Sequence, residues 1–252
     1  MRKPAVKKEP TKPVESKPRQ KASNELTFDI NKISFDLKCK NENQKKFINM
    51  ISDNTITICA GPAGSGKTFL ACAQALKLMK KDSRYTKIIL VKSVTVLVGE
   101  DIGYIKGSVA DKMYEHTLPF VDNFSKIIGE DNTKRMMDMG IIEILPLSHI
   151  RGRSIDNSII IVDESQNISL PNMRSTLTRI GEGGTKMIIL GDTKQIDLKD
   201  RKLSSLETII NMFEGKTDIG VMAFTKADIV RNKIIMMIEE EFDKLEEAQS
   251  KK

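Results

Sequence analysis

Residues 55–81 read TITICAGPAGSGKTFLACAQALKLMKK: a short apolar run, a glycine loop ending in Lys67 and Thr68, and a helix-forming stretch, in that order. The loop GPAGSGKT at 61–68 keeps the spacing G-x-x-x-x-G-K-[ST]. Small residues there let successive backbone N–H groups turn inward around a di- or triphosphate. Gly61, Pro62, Ala63, Gly64, Ser65, Gly66, Lys67, Thr68 and Phe69 are therefore read as the phosphate-binding segment. Within it Lys67 reaches the terminal phosphates and Thr68 offers its hydroxyl to Mg²⁺. A chance glycine turn would lack the strand before it and the helix after it, so the segment is read as a P-loop.

Working outward, NENQKKFINMIS at 41–52 puts Phe47, Ile48 and Ile51 on one helical face, with Asn41 or Asn43 as its N-cap. Before it, 24–40 alternates loosely, as a short strand or an irregular lead-in would. Strands are predicted at 55–60, 86–92, 141–145, 158–162, 187–190 and 219–224, and helices at 69–81, 171–180, 203–213 and 228–247. The long section 93–140 carries helical pieces. Continuous apolar strands alternating with helices predict an α/β fold, a doubly wound and mostly parallel sheet in one domain spanning 24–249.

The strand SIIIV at 158–162 delivers Asp163 and Glu164 to a carboxyl end, where open α/β sheets bind ligands. After a P-loop, the first carboxylate is placed to hold Mg²⁺, and the second to orient and deprotonate the water attacking the γ-phosphate. MIILGDTKQID at 187–197 brings Gln195 to the same edge as a γ-phosphate sensor. Transition-state charge calls for an arginine. Arg179, just before Ile180 and Gly181, is one candidate, for a neighbouring subunit's site if the subunits form a ring; its alternative role is to complement a helix dipole. Arg151, Arg153 and Arg231 are further candidates for phosphate or intersubunit contacts.

The 252 residues, 39% of them hydrophobic, suffice for a real core. No apolar stretch approaches the roughly 20 residues that cross a bilayer, and the N-terminus has no apolar signal core, so a cytoplasmic protein with no membrane partner is expected. Cys39, Cys59 and Cys72 are read as buried reduced thiols. Of the net charge of +7, residues 1–21 carry +6, with half of the eight prolines, so 1–23 is read as a disordered basic tail. Such a tail either binds nucleic-acid phosphates or only solubilises. TKAD at 225–228 imitates a guanine-recognition tetrad, but Asp163 is followed by Glu164, Ser165 and Gln166 without the glycine that a GTPase switch needs. Thr225 or Asp228 is instead read as the N-cap of the last helix.

The ordered blocks GPAGSGKTFLA, VGEDIGYIKGSVADKM, PLSHIRGRSI, IIIVDESQN, LTRIGEGGTKMIILGDTKQID and DIVRN resemble the PhoH family of P-loop ATPases, from about Asn41 to Glu241. The resemblance implies a single RecA-like P-loop NTPase domain, related to the core of superfamily 1 helicases, that uses ATP and Mg²⁺. It implies Lys67, Glu164 and Gln195 in hydrolysis, Thr68 and Asp163 on the metal, Arg179 or Arg231 across an interface, and Gln44 as the adenine reader. It further implies a homo-oligomer, a hexameric ring, acting on RNA or single-stranded nucleic acid, with no attached PIN nuclease or RNA-binding module expected. A slow nucleotide-gated switch is the alternative, and a small-molecule kinase a weaker one. The chain departs from the family pattern at Lys92, Ser93 and Val94, where an arginine-proline pair is common, and at Asn232, where histidine is common.

Overall fold

Apolar runs such as IIIV at 159–162 become strands buried on both faces in the computed structural model. It describes residues 28–92, 109–150, 152–198 and 200–230, with positions 234, 237, 238, 241, 242, 244 and 245, and gives only the backbone for 109–117. The basic tail 1–23, the section 93–108, and Arg151 and Arg231 lie outside the described residues.

The elements are α1 (Glu42–Asp53), β1 (Ile56–Ala60), α2 (Lys67–Lys81), β2 (Lys87–Lys92), α3 (Val109–Ile128), α4 (Glu130–Asp138), β3 (Ile142–Pro146), α5 (Leu147–Ile150), β4 (Ser158–Asp163), α6 (Leu170–Leu177), β5 (Lys186–Gly191), α7 (Leu206–Phe213) and β6 (Ile219–Ala223). Short 3-10 turns lie at Ile30–Lys32, Ser165–Asn167, Arg201–Leu203 and Lys226–Asp228. The strands form one parallel sheet of order β3-β2-β4-β5-β1-β6. All six predicted strands are present, each within one residue of its expected ends.

Alternation along each strand divides the core into two layers. Ile88, Leu90, Ile159, Ile161, Ile188 and Leu190 face α1, α2 and α3, where Phe47, Leu70, Leu76, Phe120 and Phe124 close the layer. Their neighbours Ile89, Val91, Ile160, Val162, Met187 and Ile189 face α6 and α7 through Met173, Leu206 and Ile209. Burying each such side chain contributes about 1.5–3 kcal/mol, and helices on both faces make the sheet doubly wound.

Three predicted helix boundaries shift for tertiary reasons. The helix expected at 171–180 ends at Leu177: the Thr178 hydroxyl donates to the Arg174 and Ser175 carbonyls, and Arg179 O and Gly181 N pair with Ile155 at 2.9 and 2.8 Å. The one expected at 203–213 starts at Leu206, because the Ser205 N–H and hydroxyl both donate to Ile168 O. Thr225 opens only the turn Lys226–Asp228; of the helix expected at 228–247, the described positions from Ile234 on are helical. Residues 33–40 run extended with Ile33, Phe35, Leu37 and Cys39 turned inward, but they pair with no strand.

Candidate nucleotide site

The P-loop leaves the carboxyl end of β1 between those of β5 and β6, to which it is tied: Gly61 N donates to Gly191 O at 3.1 Å and Phe224 N to Ala60 O at 2.8 Å. A side chain at Gly61 has no space, since an added Cβ would lie 2.7 Å from Phe224 Cβ and 2.9 Å from its carbonyl oxygen. Gly66, at φ +86, takes the left-handed conformation that starts α2, which glycine adopts without steric cost. The loop turns on Pro62 O, which accepts from Ser65 Oγ at 2.9 Å.

Lys67 is buried, and its ammonium donates to the carbonyls of Gly61 and Pro62 at 2.6 and 2.9 Å. Burial lowers its pKa, against the opposing charges of Cys59, Asp192, Asp163 and Glu164. Thr68 Oγ1 donates to Asp163 Oδ2 at 3.0 Å. Because β5 lies between β1 and β4, this bond spans one strand, and the loop leaving β5 emerges between the P-loop and the acidic pair. Burial raises the Asp163 pKa, and the neighbouring Glu164 raises it further, against the Glu164 N–H, the Thr68 hydroxyl and Lys67. A half-buried, desolvated carboxylate of this kind has a deficit of positive charge that a divalent cation relieves. Thr68 and Asp163 supply two hard oxygen ligands, which fits Mg²⁺, an ion that takes its other ligands from phosphate and water.

Glu164 occupies the left-handed region at φ 53, ψ 38, an uncommon place for a residue with a side chain. Its Oε2 accepts from Gln166 Nε2 at 2.7 Å, and Gln166 Oε1 accepts from Asp192 N at 3.0 Å. Asn167 and Asp197 make a reciprocal pair, Nδ2 to Oδ2 at 2.9 Å and Asp197 N to Asn167 Oδ1 at 2.8 Å. The turn after β4 therefore clasps the loop after β5 at both ends. Gln195 lies exposed within that clasp, its N–H on Asp192 O.

Other predicted residues are placed differently from the core of the site. Gln44 is buried beneath the loop with both amide ends engaged, Nε2 on Ser65 O at 3.0 Å and Oε1 accepting from Lys40 N at 2.7 Å. Arg179 stands at the amino-terminal edge of the sheet, opposite its own P-loop, with Nη2 on Thr178 Oγ1. Arg153 is exposed. Val230 N donates to Gly64 O at 3.0 Å, so the described chain passes beside the P-loop just before position 231. Phe69 is half-buried against the core, and Ala63 and Gly64 complete the loop. The α1 cap is Asn41, whose side chain accepts from Gln44 N. Asn43 instead donates to both oxygens of Asp228, which also accepts from Thr225 N and Oγ1. The carboxylate of the TKAD tetrad is thus occupied by its own fold. Of the thiols, Cys59 and Cys72 are buried and Cys39 is half-buried; none is in a disulfide, and burial pushes Cys59 up to about 12.

Sequence reasoning did not single out Gln166, the Asn167–Asp197 pair or Asn43 as site residues. The available signal was the amide pair Gln166-Asn167 directly after the acids, polar residues that nonetheless sit buried.

The family model described as PhoH-like protein matches residues 36–243. A PhoH-like protein of Bacillus subtilis (strain 168) is 36% identical over 208 residues, covering 82% of this chain and 64% of that protein. A PhoH-like protein of Mycobacterium tuberculosis (strain ATCC 25618 / H37Rv) is 33% identical over 226 residues, covering 89% and 63%. Protein PhoH of Escherichia coli (strain K12) is 32% identical over 196 residues, covering 77% and 54%. The chain thus spans between half and two thirds of the length of these relatives. Among solved structures, the large terminase of a thermophilic bacteriophage aligns with a TM-score of 0.46 at 10% identity, over 76% of this chain and 47% of that one. The Sulfolobus solfataricus SWI2/SNF2 ATPase core in complex with dsDNA gives 0.42 at 14%, over 73% and 43%. Among the described residues no helix is long and apolar enough to cross a membrane.

Proposed function

The chain belongs to the PhoH-like protein family of P-loop NTPases, and from that premise we propose that it is a Mg²⁺-dependent ATPase, working as a homo-oligomeric ring, hexameric, on RNA or single-stranded nucleic acid. The observation that carries the hydrolytic reading is the Thr68 to Asp163 hydrogen bond across β5, with Lys67 and Glu164 beside it. Two adjacent pairs, Lys67-Thr68 and Asp163-Glu164, meet at one sheet edge across 95 residues of sequence, an arrangement that suits phosphoryl transfer.

Lys67 leaves its two carbonyl partners and follows the phosphates, exchanging neutral acceptors for charged ones, a bond roughly twice as strong. Thr68 and Asp163 would hold the metal, and a Mg²⁺ ion there would supply charge neutralisation for the phosphates. Glu164, oriented by Gln166, takes a proton from the attacking water. Gln195 reports on the γ-phosphate from the loop between the two halves of the site. Gln44 braces the loop through Ser65, and reading adenine requires its amide to exchange those partners. Arg179 cannot serve its own P-loop from the opposite sheet edge, which supports a role in a neighbour's site.

The test is ATP hydrolysis with and without single-stranded RNA and DNA, with Glu164→Gln as control, GTP as competitor and particle mass measured in parallel. Hydrolysis lost in the control and stimulated by a strand supports the proposal. Absence of hydrolysis overturns it, and slow, unstimulated hydrolysis favours the switch.

A further inference from the structure

The segment leaving β5 does more than carry Gln195. Thr193, Ile196, Arg201, Lys202 and Ser204 form one wall of a cleft of about 370 Å³, and α7 forms the other. That is within the range of about 300–1,000 Å³ of small-ligand sites. Thr193, Arg201 and Lys202 line the first wall; Glu207, Thr208 and Asn211 line the second, gathered on one helical face by their spacing.

The charges of the first wall differ in their partners. Its acids are engaged by neighbouring donors: the buried Asp192 accepts from Lys194 N at 2.9 Å, and the exposed Asp197 and Asp200 accept from Asn167 and from Lys202 N at 3.0 Å. Its bases, Lys194, Arg201 and Lys202, are exposed. Arg201 is pre-oriented by Nη2 on Lys194 O at 2.8 Å, a bond that uses only one of the several N–H donors of the guanidinium fork. Two cations facing a carboxylate, a hydroxyl and an amide suit a ligand that alternates anionic groups with hydroxyls and ring oxygens, as a sugar-phosphate backbone does.

The cleft is also fastened to the hydrolytic machinery. Asp192 at the root of its loop is held by Gln166, and Gln166 holds Glu164; Asp197 is held by Asn167 in the same turn. A ligand that displaces residues 193–196 therefore pulls on the residue that aims the base.

We propose that this cleft is where a polynucleotide backbone engages the protein and is coupled to ATP hydrolysis, Arg201 and Lys202 each taking a phosphate and the α7 face contacting the sugar. This rests on the nucleic-acid-driven reading above. The experiment titrates the full chain with oligo(U) and, separately, oligo(dT) while measuring ATPase rate, comparing wild type with Arg201→Glu/Lys202→Glu. The variant should need about tenfold more strand or greater for half-maximal stimulation, and its salt dependence should lose a slope of about two, one per phosphate contact. The unstimulated rate of the single variant Lys202→Glu should stay within about twofold of wild type, since the Lys202 side chain touches neither the nucleotide site nor the loop that carries Gln195. Lys202→Gln, a milder change, should move the same way by less, which keeps the test open if the double reversal does not fold. The strand that stimulates wild type identifies the ligand as RNA or DNA. A variant stimulated like wild type overturns the cleft and leaves the nucleic-acid reading standing; a wild type that neither strand stimulates overturns both.

Discussion

Gln166→Glu isolates the link between the loop after β5 and Glu164, the proposed base. Glutamate keeps the shape of the buried side chain and an oxygen to accept from Asp192 N, so the fold is retained. Its other oxygen replaces the Nε2 that now lies 2.7 Å from Glu164 Oε2. Two full charges at that separation repel by roughly 6 kcal/mol at an effective dielectric of about 20. That far exceeds the roughly 1.36 kcal/mol that moves a pKa by one, so the pair retains a proton at neutral pH. General-base catalysis contributes about 10²–10⁴-fold, and a base that shares its proton forfeits much of it. The variant should hydrolyse ATP about tenfold slower or worse at pH 7 and recover as pH rises and the shared proton leaves. Gln166→Met tests the structural half of the link. It leaves the Asp192 N–H without its acceptor, at about 1–3 kcal/mol, and lowers Tm by about 2–4 °C for each of those kcal/mol. Steady-state rates from pH 6 to 10, with thermal melts, measure both. A Gln166→Glu enzyme with the wild-type pH profile and a kcat within twofold would refute the assignment of Gln166 as the residue that aims Glu164.

Asp163→Asn should abolish hydrolysis yet stabilise the nucleotide-free protein at pH 8. The native Asp163 holds its proton more tightly than the unfolded chain does, so wild-type stability falls as pH rises from the ordinary carboxylate range through the raised pKa, whereas the asparagine variant lacks that loss. Melts at pH 5 and pH 8 should show the variant's advantage growing with pH. Gly61→Ala should cost about 2 kcal/mol or more and weaken ATP binding, because its Cβ meets the Phe224 backbone, which cannot yield without parting β1 from β6; denaturant titration and nucleotide binding measure the two losses. Asp228→Ala should destabilise by about 1–3 kcal/mol through the donors it abandons on Asn43 and Thr225, while leaving the preference for ATP over GTP unchanged. A gain of GTP use would reinstate the guanine reading.

The division between what the sequence made legible and what it hid follows the range of the forces involved. Strands were readable because IIIV at 159–162 and MIIL at 187–190 must be buried on both faces, whatever packs on them. Lys67, Thr68, Asp163 and Glu164 were readable for a related reason: a parallel sheet sends every carboxyl end to one edge, so a motif that follows a strand is automatically near the others. Side-chain amides carry no such signature. Gln166 finds Asp192 across 26 residues and Asn43 finds Asp228 across 185, and each could as well have been solvated. The early end of α6 and the late start of α7 have the same origin, since Ile155 and Ile168 draw the backbone at Arg179 and Ser205 out of helix. Local periodicity has no access to those partners. Arg179 shows the consequence for function. Its place at the end of the helix that follows the acidic pair was evident from sequence, but only the bond between its carbonyl and Ile155 puts it on the far edge of the sheet. A reading by proximity in sequence would have given it to its own active site. With that excluded by the fold, an arginine that acts in hydrolysis from this position can do so only on a second subunit, and the same residue therefore tests the proposed oligomer and the proposed chemistry together.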